Sequence, residues 1–247
     1  MSRYRLFHDG WPVTDHAGFS HCVEISYAHY ELFRTTYFMT SRLVKALALF
    51  NRKERFWLLS EAVGEAFQKL SPDYLASLSK EIGVSIPEDA WWAFDYHFEW
   101  LYAVLFSSPA FNPSPGDAIK TNSEKLIRSN QEDMDLIVAF DDVIVIVEAK
   151  LSTSWSNKQT ASKARRLSAL PTAHARCFYV LTSPVRPTKL NMDGWPEWAL
   201  RTPLPHPSFY WLPLKPQGAP QKPLMVSKCD HEGNRSREGT YWNVFDA

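Results

Sequence analysis

The chain carries no excess of either charge: 27 lysines and arginines stand against 27 aspartates and glutamates. That excludes a polybasic, histone-like protein as a reading of the whole chain. Cysteine is scarce. Cys22, Cys177 and Cys229 are scattered, odd in number and without CxxC spacing, which excludes a disulfide framework and gives no basis for a structural zinc site. Reduced thiols in a cytoplasmic protein are expected. The opening MSRYRLFHDGWPVTD has no apolar h-region, so no signal peptide is expected. Long hydrophobic runs are also missing. The aliphatic run Val143 to Val147 is far shorter than the roughly 20 residues that span a bilayer.

What is present, 247 residues that are 45% hydrophobic and 22% charged, suffices for one α/β domain or a core with an appended subdomain. Three zones follow from periodicity. Residues 20 to 108 read as helical. Leu43, Val44, Leu47 and Phe50 recur at helical spacing, and Trp57, Leu58, Ala62 and Phe67 continue the pattern beyond Arg55. Ser71-Pro72-Asp73 predicts a capped helix ending near Gly83. Pro87-Glu88-Asp89 predicts another, running to about Phe106. From 118 to 183 the pattern changes. Asp135 to Phe140, Val143 to Leu151 and Cys177 to Thr182 are strand-like, with a helix over Asn157 to Leu167 between them. The third zone holds ten of the 17 prolines, from Pro184 to Pro223, mixed with aromatics. It excludes long helices and predicts packed irregular structure with a short strand at Phe209 to Leu212.

The informative segment is Glu132 to Lys150. Read as an antiparallel hairpin turning at Asp141-Asp142, it pairs Phe140 with Val143 and sets Asp135 opposite Glu148 and Asp133 opposite Lys150. A three-residue loop would shift that register. With period-two alternation, Asp133, Asp135, Glu148 and Lys150 share one face, and Leu136, Val138, Phe140, Val143, Val145 and Val147 form an apolar face behind it. Two opposed carboxylates repel and destabilise a strand pair. A hard divalent cation would offset that repulsion, and Lys150 brings an ammonium to the same face. Asp133 is either a partner of Lys150 or a bystander acid.

Asp135 on one strand, followed by Glu148-Ala149-Lys150 closing the next, resembles the PD-(D/E)XK nuclease superfamily. Met134 replaces the proline of the strict pattern. The resemblance covers about residues 90 to 183. It implies an α/β restriction-endonuclease-like core, a mixed sheet flanked by helices. Residues 1–86 would then be a helical N-terminal region, 87–186 the nuclease core, and 187–247 a proline- and aromatic-rich segment packed on it. It implies that Asp135 and Glu148 hold Mg²⁺, with Mn²⁺ as a substitute, and that Lys150 positions or activates the attacking water. Glu99, in the element before the sheet, matches the additional glutamate of many members. Asp95 and Glu124 are its rivals. Gln159 matches a glutamine on the following helix.

Charge segregation points the same way. Between Ala149 and Met192 there is no acidic residue, while Lys150, Lys158, Lys163, Arg165, Arg166, Arg176, Arg186 and Lys189 fall there. Gln159, Lys163 and Arg166 lie at i, i+4 and i+7 on one helix face. Lys158, Lys163, Arg165 and Arg166 are therefore candidate phosphate contacts. The expected activity is Mg²⁺-dependent hydrolysis of DNA phosphodiesters, with RNA as the alternative polymer. A role in restriction, repair or phage defence is expected by analogy alone. The competing readings are a non-catalytic module of the same fold that binds nucleic acid or protein, and a nuclease subunit that needs a helicase or recognition partner. Paired cuts on a duplex would call for a homodimer.

Overall fold

Helix α1, Arg42–Phe50, opens where Ser41 Oγ accepts the Val44 N–H at 3.2 Å, a cap worth about 1 kcal/mol. It buries Leu43, Val44, Ala46 and Leu47, as its 3.6-residue spacing requires. The computed structural model describes residues 41–51, 53–107, 122, 125, 127, 132–151, 155, 157–202, 205–215 and 224–246, with the side chains of 65, 66 and 157–159 outside that set. Helix α2, Glu54–Val63, buries no residue, and Trp57 and Leu58 stay exposed. Helix α3, Pro72–Ile82, has proline in its first turn and stops at Gly83, whose φ of 71° is left-handed, as the sequence predicts.

The helix expected from Pro87 to Phe106 is corrected by the structure. Trp91–His97 is strand β1, and only Phe98–Phe106 is helical, as α4. The aromatic run Trp91-Trp92-Ala93-Phe94 suits a pleated, half-buried surface. It pairs antiparallel with β2, Asp133–Phe140, from Trp91↔Ala139 to His97↔Asp133. At Asp95 the backbone turns left-handed, with φ 50°, which aspartate tolerates better than most residues. The strand face switches there. Trp91 and Ala93 enter the core before it and Tyr96 after it. The Tyr96 hydroxyl donates to the Leu47 carbonyl at 2.9 Å and ties the strand to α1.

The hairpin forms in the expected register. Strand β3, Val143–Ala149, pairs with β2 from Phe140↔Val143 to Leu136↔Val147. Asp141 makes the tight turn possible by adopting φ 45°. Helix α5, Asn157–Leu167, provides the crossover that parallel pairing needs, and β4, Arg176–Ser183, lies parallel to β3. The proline-rich zone then adds β5, Leu200–Thr202, and β6, Ser208–Pro213, with β6 parallel to β4. The result is a six-stranded mixed sheet in the order β1-β2-β3-β4-β6-β5. Its hydrogen-bonded framework thus extends past residue 186.

Helices cover both faces. Leu75, Leu78 and Ile82 of α3 pack on Val138, Val145, Val147, Val180 and Leu212. On the other side α1, α4 and α5 pack on Ile137, Ala139, Ile144 and Ile146. The expectation of one apolar and one polar hairpin face is therefore corrected: the acidic face is itself apolar except at its end. Buried on both faces, β3 reads as a continuous aliphatic run, as a strand with a parallel neighbour does. A separate antiparallel ribbon follows, β7, Leu224–Cys229, with β8, Tyr241–Asp246. Among the described residues, no helix is long and apolar enough to cross a membrane.

Candidate active site

Extending the hairpin register one step past Leu136↔Val147 brings Asp135 opposite Glu148. The strand-to-strand ladder ends there. Instead, the Asp135 carboxylate accepts the Ala149 N–H at 2.6 Å. The side chain of one strand thus takes a donor from the other and fixes the carboxylate beside Glu148.

Glu148 is 9% exposed. Burial pushes its carboxyl above the ordinary carboxylate value; Lys163 opposes the shift and the Asp135 charge adds to it. The ammonium of Lys163 lies 2.5 Å from Glu148 Oε2 and 3.2 Å from Glu132 Oε1. Arg166 also pairs with Glu132. Tyr179 of β4 lies close enough that Glu148 and Asp135 add to the main effect of burial in raising its phenol well above 10.0.

Lys150 follows β3. Its backbone N–H donates to the Thr182 carbonyl at 2.9 Å, continuing the parallel ladder. Its ammonium stands 5.8 Å from the centre of the Trp155 ring, a cation–π contact. Trp155 is held in turn: its indole N–H donates to Ser183 Oγ at 3.3 Å, and the Trp211 indole donates to the same oxygen at 3.1 Å. The Ser183 hydroxyl passes its own proton to the Val185 carbonyl at 2.8 Å.

The other expected residues divide. Asp133 is corrected as a partner of Lys150. Its carboxylate binds Lys53 Nζ at 2.6 Å, and β1 sets His97 beside it, with Nδ1 3.2 Å away but without hydrogen-bond geometry. Glu99 lies half-buried in the first turn of α4. The structure does not bring it together with Asp135 and Glu148: among the described residues, no three His, Cys, Asp or Glu side chains form a group that could hold a metal ion. Asp95 is turned to an ion pair with Arg55 at 2.7 Å, and Glu124 lies outside the described residues. Lys158 and Gln159 fall in the first turn of α5, their side chains outside the described residues. Arg165 is exposed and Arg166 half-exposed.

Lys163 is expected from the sequence as a phosphate contact; it is 8% exposed, and its ammonium is taken up by Glu148 and Glu132. The sequence holds the signal. Thr160, Lys163, Ala164 and Leu167 are all buried and recur at i, i+3, i+4 and i+7, the inward stripe of α5. A lysine in that stripe requires a buried carboxylate partner. Glu132, Tyr179 and Ser183 carry no comparable signal, since only the tertiary fold gathers them.

Comparison with family models, curated proteins and solved structures finds no match for this chain. The site's chemistry therefore rests on its own residues. Four carboxylates, Glu132, Asp133, Asp135 and Glu148, are set against Lys53, Lys150, Lys163 and Arg166. Of these carboxylates, Asp135 and Glu148 are the two that the extended register sets opposite each other. Two carboxylates fit Mg²⁺, which keeps several waters and commonly takes one or two carboxylates together with substrate phosphate oxygens. A site with three protein carboxylates is not what these residues offer.

Proposed function

We propose that the chain is a metal-dependent nuclease with a restriction-endonuclease-like core, hydrolysing DNA phosphodiesters. The observation that carries this reading is the meeting of Asp135 and Glu148 where the β2–β3 ladder ends, with the Lys150 and Lys163 ammonium groups nearby. Asp135 and Glu148 would hold Mg²⁺ or Mn²⁺. Bound there, the ion supplies Lewis-acid charge to the phosphoryl group and lowers the pKa of the attacking water. The chain's own groups do the rest. The Ala149 N–H orients Asp135. Lys163 offsets the charge of Glu148 and opposes the rise that burial gives its carboxyl. Lys150, steadied over Trp155, presents a compact cation to the water or to a phosphate oxygen as negative charge develops. Arg165 and the end of α5 continue the positive surface for the backbone of the polymer.

Cleavage of supercoiled plasmid in Mg²⁺ tests the reading, beside Glu148→Ala and Lys150→Ala. Cutting by the wild-type chain and by neither variant supports it. Cutting by all three refutes this site. A second reading has its own support. Lys163 already compensates Glu148, and no three-carboxylate group exists among the described residues. Both suit a non-catalytic module of the same fold that binds nucleic acid or a partner protein, or a subunit whose activity awaits a partner. Retention of DNA on the wild-type chain without cleavage selects that reading.

A further inference from the structure

We propose that the β7–β8 ribbon is the surface through which two copies of this chain associate. The inference does not rest on the nuclease reading. Period-two alternation puts Leu224, Val226, Lys228, Trp242, Val244 and Asp246 on one face of the ribbon. The four apolar members of that face are all exposed: Leu224 68%, Val226 66%, Trp242 64% and Val244 58%. The opposite face is partly closed by the chain itself. Cys229 there is 2% exposed, and the Arg235 guanidinium lies 4.5 Å from the centre of the Phe245 ring. A two-stranded ribbon is marginal in water without a cover for its apolar face, and a contiguous apolar patch marks an interaction surface.

Charge identifies the occupant. Lys228 lies at one end of the exposed face, opposite Trp242; Asp246 lies at the other end, opposite Leu224. Two ribbons stacked face to face about a two-fold axis along the strands set Lys228 over Trp242 of the partner subunit and Asp246 over Leu224 of the partner subunit, which gathers both lysines at one end and both aspartates at the other, so that like charges repel. If the axis lies across the strands, the ribbons run antiparallel. Each Lys228 then comes within reach of Asp246 of the partner subunit, while Val226 and Val244 meet their own copies at the centre. The face is complementary to itself in that second arrangement, which is the requirement of an isologous interface.

Sedimentation equilibrium of the full chain over a wide concentration range tests the proposal. The wild-type chain is expected to form a dimer. Val226→Asp, which places a charge in the centre from both copies, is expected to weaken association at least about tenfold. Lys228→Asp and Asp246→Lys should each weaken it, and the double variant should recover it, because reversing both charges restores each pair. All these positions are exposed in the single chain, so thermal unfolding of every variant should match the wild type at concentrations too low for association, and the wild type alone should melt higher as its concentration rises. A wild-type chain that stays monomeric throughout overturns the proposal, and then the ribbon is covered by its own chain or by another partner. A dimer indifferent to Val226→Asp overturns it equally. A double variant no tighter than either single variant refutes the antiparallel arrangement on which the choice of occupant rests.

Discussion

Replacing Lys163 by methionine keeps the length of the side chain and removes its charge. The side chains of Lys163 and Glu148 are 10% and 11% exposed, and the ammonium touches Glu148 at 2.5 Å, so solvent screening of the pair is slight. Removing one partner of a buried pair typically costs about 3 to 5 kcal/mol, since the remaining charge loses its compensation. Two features favour the lower end. Glu148 can take up a proton, its carboxyl being already raised by burial, and Arg166 still serves Glu132. The expected loss is therefore about 3 kcal/mol, or a Tm lower by roughly 6 to 12 °C in a chain of this size. Urea unfolding and thermal melts at neutral pH measure it. Glu148→Gln added to Lys163→Met should regain most of the loss, giving a large coupling energy in the double-mutant cycle. Mg²⁺ should also raise the Tm of Lys163→Met, since a cation held by Asp135 and Glu148 replaces the missing charge by mass action. A loss under about 1 kcal/mol, or additive effects of the two substitutions, would refute the view that this ion pair is buried and tightly linked.

Three further outcomes are expected. Tyr96→Phe removes the donor to the Leu47 carbonyl at 2.9 Å and should cost about 1 to 2 kcal/mol in urea unfolding, because the carbonyl loses its partner inside the core. At Gly239 an added Cβ would lie 2.1 Å from the Cys229 carbonyl oxygen. Since backbone cannot yield as a side chain can, Gly239→Ala should open the β7–β8 ribbon to limited proteolysis while the six-stranded sheet still melts near its wild-type temperature. Alkaline pH should destabilise the chain. Burial pushes Cys177 and Tyr74 up to about 12, from 9.0 and 10.0. The native state therefore holds protons that the unfolded chain releases. Stability is full below about pH 9 and falls as pH rises toward 12, as urea midpoints across that range would record.

The hairpin register was legible because the two apolar runs, Leu136 to Phe140 and Val143 to Val147, leave just Asp141-Asp142 between them for the turn. Asp-Asp is not the preferred turn pair, yet Asp141 accepts the left-handed conformation that the turn needs. The proline start and glycine stop of α3 were legible for a similar local reason, both residues having strict backbone preferences, although Ser71 makes no side-chain cap bond. Strand β1 was hidden. Trp91, Trp92 and Phe94 are as apolar as a buried helix, and what decides for the strand is pairing with β2, some forty residues distant. The ion-pair network was hidden differently. Lys163 reads as a phosphate contact by its basic neighbours, although its place in the inward stripe of α5 marks it as buried. The nearness of Asp133 to His97 follows from the pairing of β1 with β2, which no local pattern shows. Glu99, plausible by its position in the chain, stands apart because the turn from β1 into α4 governs where its side chain begins.

The mixed sheet has a practical consequence. Strands β3, β4 and β6 end at the rim that carries Glu148, Ser183 and Pro213, whereas the β2–β3 turn sits at the far rim. Six residues of extended chain separate Asp135 from Asp141, roughly 20 Å at about 3.3 Å per residue. A label attached at the exposed Asp142 would therefore stand well clear of Asp135, and the turn offers a handle for immobilising the chain with the proposed site left open.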